Sequence, residues 1–228
     1  MLIRLLALTS RALPRLSPPR LSAAGGIFDH AEWPQLQGEL DGIPVFTVAN
    51  EDGQPLQYQV GGQSLAIFYA DVEAAKKQLA DAQGQFPDLN YDMIPVGLGS
   101  AYRLSCDGKG MVVPGMAELQ ALGAPEDAQP MGQELPLFMG AGMSQETDEG
   151  PVSPLFMSHA DCAAAVAKAT GVAGVADEIS GLALASVVEA RLDDASSEAF
   201  SFVAPSASLQ HVESYVGKGI YWRPVEED

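Results

Sequence analysis

The stretch Gly42–Asn50, with the sequence GIPVFTVAN, sets a proline directly before a run of β-branched and aromatic residues. Such residues favour a buried strand, and proline is tolerated at the first position of a strand. The centre of the stretch, Ile43–Phe46, is echoed by Leu135–Phe138, whose sequence is LPLF. A proline-led strand that occurs twice, 92 positions apart, predicts that the chain contains two copies of one design.

The elements after the first proline-led strand follow from their composition. Asn50–Gly53 is a turn signal, since glycine accepts the positive φ that such turns need. Leu56–Val60 is expected as the return strand of a hairpin, followed by the strand Leu65–Tyr69 and by a helix that Asp71 caps. Shorter strands and helices complete this half, at Met93–Val96, Ser100–Leu104, Met111–Pro114 and Met116–Leu122.

The second half repeats this order after a linker at 123–133 that is rich in proline, glycine and acidic residues. The segment Ser144–Gly150 is polar and turn-like. A capping-box pattern at Ser158–Asp161 predicts the start of a helix. The other elements of this half are predicted at Leu135–Met139, Pro154–Met157, Leu182–Leu192, Phe202–Pro205 and Ala207–Val216.

The ordered repeat predicts an α+β fold in which two pseudo-symmetric tandem αβ halves form one domain. The domain spans residues 29–228, with half-repeats at 42–123 and 134–217. The alternative is two unrelated αβ stretches that look alike because Val-Pro-Phe strands are common. If the chain is duplicated, the buried stripes of the two long helices correspond at an offset of 90 residues. The first-half stripe is Val72, Ala75 and Leu79, and the second-half stripe is Cys162, Ala165 and Ala169.

The residues offer no pattern typical of catalysis or cofactor binding. Cys162 lies on a helix stripe and is expected to be a small buried hydrophobe. Cys106 lies in a polar loop beside an acid, which disfavours a reactive thiolate. The sequence does not decide between one disulfide and two thiols. His159 is expected on the surface of a capping turn, and Gly97–Gly99 lacks the third glycine of a nucleotide loop. We expect no enzyme activity, no metal and no cofactor.

Charge is distributed unevenly along the chain. The formal net charge is −18, and such an acidic balance argues against nucleic acid as a partner. Residues 1–28 contain Arg4, Arg11, Arg15 and Arg20 and no acid. On a helix, the first three arginines share one side opposite a leucine-rich side, as in organelle import leaders. Residues 1–28 are therefore predicted to be a cleaved transit peptide, with an ordinary surface helix as the alternative; mitochondrion and chloroplast both remain open.

Methionines concentrate in the middle of the chain, where six of the eight fall between Met111 and Met157. Methionine is flexible and polarisable, and surfaces rich in it accept varied apolar partners. The hypothesis is an adaptable apolar groove; the alternative is ordinary core filling. The candidate groove residues are Met111, Met116, Phe138, Met139, Met143, Phe156 and Met157.

Several stretches together resemble the Tic twenty-two-like family, the 22-kDa component of the translocon at the inner chloroplast envelope. The first are Gly42–Val48 and Asn50–Leu56. The others are Ile67–Tyr69 with the helix after it, Ile94–Leu98 leading to Ala101 and Tyr102, Leu135–Phe138, and Pro154–Phe156. The likeness covers about residues 40–217, and its specificity lies in the ordered set rather than in one motif.

This resemblance implies a soluble αβ protein with apolar pockets on its faces. It implies a chaperone-like factor in protein import that binds preproteins and transit peptides beside the envelope translocon components, peripheral to the membrane at most. The implied location is the intermembrane space of the plastid envelope, with the mitochondrion as the second possibility. The alternative function is a non-catalytic assembly or structural subunit of an organelle complex.

Overall fold

The computed structural model describes residues 26–148, 150–171, 179–193 and 200–217. The predicted transit peptide lies outside these ranges except for its last residues, Gly26 to Phe28. Within the described ranges, no helix has the length and apolar character needed to cross a membrane.

The first half begins after helix α1 (Trp33–Asp41), which buries Trp33, Leu36 and Leu40. Its strands are β1 (Pro44–Ala49), β2 (Gln57–Val60), β3 (Gln63–Tyr69), β4 (Asp92–Gly97) and β5 (Gly110–Val113). Its helices are α2 (Val72–Gln85), α3 (Leu98–Cys106) and α4 (Met116–Ala121).

The second half presents the same kinds of element in the same order. Its strands are β6 (Pro136–Gly140), β7 (Gln145–Thr147), β8 (Gly150–Phe156), β9 (Ile179–Ala183) and β10 (Phe200–Val203). Its helices are α5 (His159–Thr170), α6 (Leu184–Asp193) and α7 (Ser206–Gly217).

Strand pairing is also the same in the two halves. In the first, β1 pairs antiparallel with β3 and β4, and β3 pairs parallel with β5. In the second, β6 pairs antiparallel with β8 and β9, and β8 pairs parallel with β10. Phe46 lies opposite Tyr69, as Phe138 lies opposite Phe156. The predicted fold class, two pseudo-symmetric αβ halves, is confirmed.

Two details of the predicted strands differ in the structure. The segment predicted as the return strand does return on β1 at its start, where the Leu56 N–H donates to the Val48 carbonyl at 2.8 Å. From Gln57 onward it pairs with β3, because Gly61 and Gly62 both take positive φ and reverse the chain within two residues. In the second half, the segment predicted as a polar turn contains β7, which pairs with β8. All three residues of β7 are exposed, so its sequence lacks the apolar alternation by which strands are recognised.

The central strands of both sheets are buried on both faces, and side chains that alternate along these strands join different clusters. In β3, Leu65, Ile67 and Tyr69 join the first outer cluster, which packs under α2, whereas Ala66 and Phe68 join the central core. The second outer cluster packs under α5 and consists of Phe138, Phe156, Cys162 and Val166. The central core takes residues from both sheets and from α1, α3 and α6.

The predicted offset between the two long helices is wrong by three residues. Strand register and helix caps both give an offset of 87, since Phe156 corresponds to Tyr69 and the N-cap Ser158 to the N-cap Asp71. Cys162 therefore corresponds to Ala75, and its expected burial is confirmed at 0% exposure. The register brings Val166 into the core, a residue that the predicted stripe omitted, and it leaves Ala169 exposed.

The last helix of each half packs on the other half. Helix α4, from the first half, contacts α5, and Leu122 just after it packs into the second outer cluster against Gly181 of β9. Helix α7, from the second half, contacts β1 and α2, and its Val212 packs into the first outer cluster. This reciprocal exchange joins the halves into one unit and brings four helix N-termini to their junction.

Candidate functional site

The seven residues of the predicted groove are divided among different parts of the molecule. Phe138, Phe156 and Met157 are buried. Met111 packs against the first outer cluster, and Met143 packs against the second, beside Phe138 and Phe156. Met139 and Met157 belong to the central core region, and Met116 is half-buried on α4. The structure brings three of them together, Phe138, Met143 and Phe156.

A small pocket with a mixed polar and apolar lining lies beside Met143, at the C-terminal end of α5. Its volume is about 260 Å³. Met143 is half-buried and forms one wall, and the exposed Ala169 forms part of another. The remaining lining residues are Ala141, Gly142, Ser144, Val166 and Thr170. Of the predicted groove residues, Met143 is the one that lines this pocket.

A second cavity, which we call the interhalf cleft, lies where the N-termini of α2, α4, α5 and α7 converge. Its volume is about 220 Å³. It is lined by Ala70, Asp71, Val72, Gly115, Glu118, Leu135, Met157, Ser158, Ala160, Asp161, Pro205, Ser206, Ala207 and Ser208. Residues from both halves form its walls, so the cleft exists only when the halves are joined.

Two carboxylates in the interhalf cleft cap helices. Asp71 Oδ1 accepts a hydrogen bond from the backbone N–H of Glu73, at 2.9 Å, and so caps α2. Asp161 Oδ2 accepts from the backbone N–H of Ser206 and Oδ1 from the Ser206 hydroxyl, both at 2.8 Å. A negative charge at a helix N-terminus is favourable, so both aspartates stabilise the junction of the halves.

Glu118 is the third carboxylate of the interhalf cleft. A Cβ on Gly115 would collide with the Glu118 carboxylate and lie 3.1 Å from Asp71 Cβ, so the missing side chain of glycine makes room for both acids. Burial raises the pKa of Glu118 above its ordinary value; a hydrogen bond with its own backbone offsets part of the rise, and Asp71 and Asp161 add to it. Glu118 is therefore a carboxylate that a neighbouring cation would stabilise.

Two histidines and both cysteines pack against other side chains of the protein. His159 is half-buried and packs edge-on against Phe138, with ring centroids 5.2 Å apart, and His211 packs likewise against Phe46 at 5.4 Å. Cys106 and Cys162 are both buried free thiols. Burial raises the pKa of Cys106, with an added effect of Asp107, and that of Cys162 to about 11. Neither thiol is primed for nucleophilic attack.

The Gly97–Gly99 segment lies against the carboxylate of Asp41, so it does not form an open site for a bound anion. Asp41 Oδ1 accepts from the backbone N–H of Ser100 at 2.7 Å, and Oδ2 from the Ser100 hydroxyl at 3.1 Å. The N-terminus of α3 is therefore already occupied by a carboxylate of the chain. Among the described residues, no group of three or more His, Cys, Asp or Glu side chains is placed to hold a metal ion.

The interhalf cleft could not be found by motif analysis. Asp71 and Ser158 were recognisable as helix caps, but Glu118 and Ser208 stand in unremarkable helix sequences. Their proximity depends on the helix exchange between the halves, which no local pattern reports.

These features define the class of the protein: a two-half α+β domain whose halves exchange their last helices around a shared cleft. The fold is that of Tic22. Tic22 from Plasmodium falciparum matches with a TM-score of 0.67 and 18% sequence identity, over 82% of this chain and 99% of that chain. Anabaena Tic22, described with the words protein transport, matches with a TM-score of 0.60 and 17% identity, over 84% of this chain and 99% of that one.

Comparison with sequence-family models and with curated proteins finds no match. The resemblance to the Tic twenty-two-like family that the ordered stretches indicated is confirmed at the level of fold, across nearly the full length of both solved chains.

Proposed function

We propose that this chain is a non-enzymatic protein-import factor of plastids, which holds unfolded preprotein segments in a chaperone-like way during their passage across the envelope. The observation that carries the proposal is the match to two Tic22 structures over nearly their whole length, one of them described as a transport protein. The proposal includes cleavage of residues 1–28 as a plastid transit peptide and a peripheral location in the intermembrane space. Its partners are preproteins and translocon components.

Charge and apolar surface both suit such clients. Residues 29–228 contain all 30 acids and eight basic residues, a formal charge of −22. Transit peptides are basic and amphipathic, so an acidic surface speeds their encounter, and apolar pockets receive their leucine-rich side. The pocket beside Met143 is the part of the predicted groove that we assign to this apolar contact.

The apolar contact is tested by suppression of aggregation of an unfolded client protein. We expect Met143→Ser to weaken suppression, because it removes the large apolar side chain that forms one wall of the pocket. Met131→Ser is the matched control, since Met131 is 42% exposed in the linker between the halves. Undiminished suppression by Met143→Ser, or an equal loss in both variants, would contradict the assignment.

The alternative, an assembly subunit of an organelle complex, differs in its partners. Proximity labelling in the native cell distinguishes the two: many preproteins with translocon components support the import factor, whereas one stoichiometric partner would overturn it.

A further inference from the structure

We propose that the interhalf cleft is a binding site for the cationic end of one arginine or lysine side chain of the client segment. The inference rests on the proposed function for the identity of the client. It places one specific contact between the acidic protein and its basic client in the cleft where the two halves meet.

The first argument is the unbalanced charge of the cleft. Asp71, Glu118 and Asp161 come from three helices and line the same cavity. The ion pairs formed between described residues, Lys76–Glu73 and Lys109–Asp107, lie elsewhere. Three carboxylates around one small cavity repel one another unless a cation joins them. Burial is the main cause of the raised pKa of Glu118, and the charges of Asp71 and Asp161 add to it.

The second argument is an unused acceptor. Ser208 also lines the cleft and is 1% exposed, yet its Oγ has no hydrogen-bond partner among the described residues. A buried hydroxyl without a partner is costly, so its presence points to a group that the cleft receives. In Asp71, Oδ1 accepts the hydrogen bond from Glu73, which leaves Oδ2 for a bound cation. A guanidinium has five N–H donors and an ammonium three, which suits this set of acceptors.

The third argument is shape. A volume of about 220 Å³ corresponds to about seven water molecules, since each occupies about 30 Å³ of liquid, so the cleft admits the end of one long side chain. Val72, Leu135, Met157 and Pro205 supply apolar wall, against which the methylene stem of arginine or lysine packs while its charged end reaches the carboxylates.

The test measures binding of a basic amphipathic peptide and of the same peptide with citrulline in place of each arginine, which keeps the shape and removes the charge. A lysine version forms the third arm. We expect Glu118→Gln to weaken binding of the arginine peptide about tenfold, the effect of losing one charge-assisted hydrogen bond, and to leave the citrulline peptide unchanged. Ser208→Ala is expected to act in the same direction with a smaller effect.

The matched control is Glu126→Gln, which removes an exposed acid of the linker and should leave both peptides unaffected. Glutamine is as long as glutamate and still reaches the start of α4, so the variant should remain folded. Thermal unfolding verifies this. Equal effects of Glu118→Gln and Glu126→Gln, or no effect of either, would overturn the cleft site.

A failure of the proposed function is distinguishable from a failure of the site. If the wild-type protein binds no basic peptide, the client is wrong, and the cleft is then probed with N-acetyl-arginine amide alone by NMR. Shifts confined to residues of the cleft, absent in Glu118→Gln, support a cation site; no shifts there overturn it.

Discussion

At the scale of the residue, close packing at Gly97 fixes the junction of α1, β4 and α3. A Cβ at this position would lie 2.8 Å from Asp41 Cα and collide with its carboxylate, the cap of α3. We expect Gly97→Ala to lower the free energy of unfolding by about 1–3 kcal/mol, because backbone atoms must shift and the Asp41–Ser100 hydrogen bonds loosen. Urea denaturation measures the change.

At Gly38, in helix α1, a substitution by alanine should stabilise the protein rather than destabilise it. Gly38 lies in the middle of α1, and beyond its chain neighbours and the backbone of that helix no described atom is within 4 Å of the place its Cβ would take. Gly38→Ala should raise the free energy of unfolding by up to about 1 kcal/mol through helix propensity. Equal effects of the two substitutions would refute the packing argument.

At the scale of the element, the exchanged helices make each half depend on the other. Without α7, the first outer cluster loses Val212 and the ring of His211 over Phe46. We expect fragments 29–123 and 124–228 to remain without cooperative unfolding when separate and to regain it when mixed in equal amounts. Circular dichroism with thermal melts reports both states. A cooperative melt of either fragment alone would contradict this dependence.

The positions of helices and strands could be predicted from sequence more reliably than the pairing of the strands. The Pro-led strands, the Asp71 and Ser158 caps and the repeat itself follow from local composition. The strand β2 was predicted, but its pairing with β3 depends on two glycines with positive φ. The strand β7 is fully exposed, so it had no apolar signal. The predicted offset of 90 residues between the stripes of α2 and α5 was wrong because the alanine-rich α5 has apolar residues on several faces. Only the strand register shows that Val166 is a buried member of its stripe.

The candidate site was less predictable than the fold. Methionine enrichment was a compositional signal, and the structure places most of these side chains in separate clusters because alternation along the strands sends neighbours to opposite faces. The interhalf cleft depends on long-range packing, for which Glu118 and Ser208 carry no local signature.

At the scale of the whole molecule, the acidic balance should govern the encounter with basic clients. The charge of −22 on residues 29–228 attracts a basic peptide. Salt limits the range of this attraction to the Debye length, which is about 10 Å at 0.1 M. We expect transit-peptide affinity to fall several-fold between 50 and 500 mM salt, mainly through slower association. Stopped-flow measurement of both rate constants checks this. Affinity independent of salt would exclude steering by the net charge.

The helix exchange also affects the order in which the chain matures on the ribosome. The first half is synthesised before α7 exists, and 85 positions separate the end of α4 from the start of α7. At about 5–20 residues per second, their synthesis takes about 4–17 s. Throughout that interval the nascent sheet presents Phe46 and its neighbours without the part of their cover that α7 supplies. The emerging protein is therefore itself a client for chaperones until its own C-terminal region arrives.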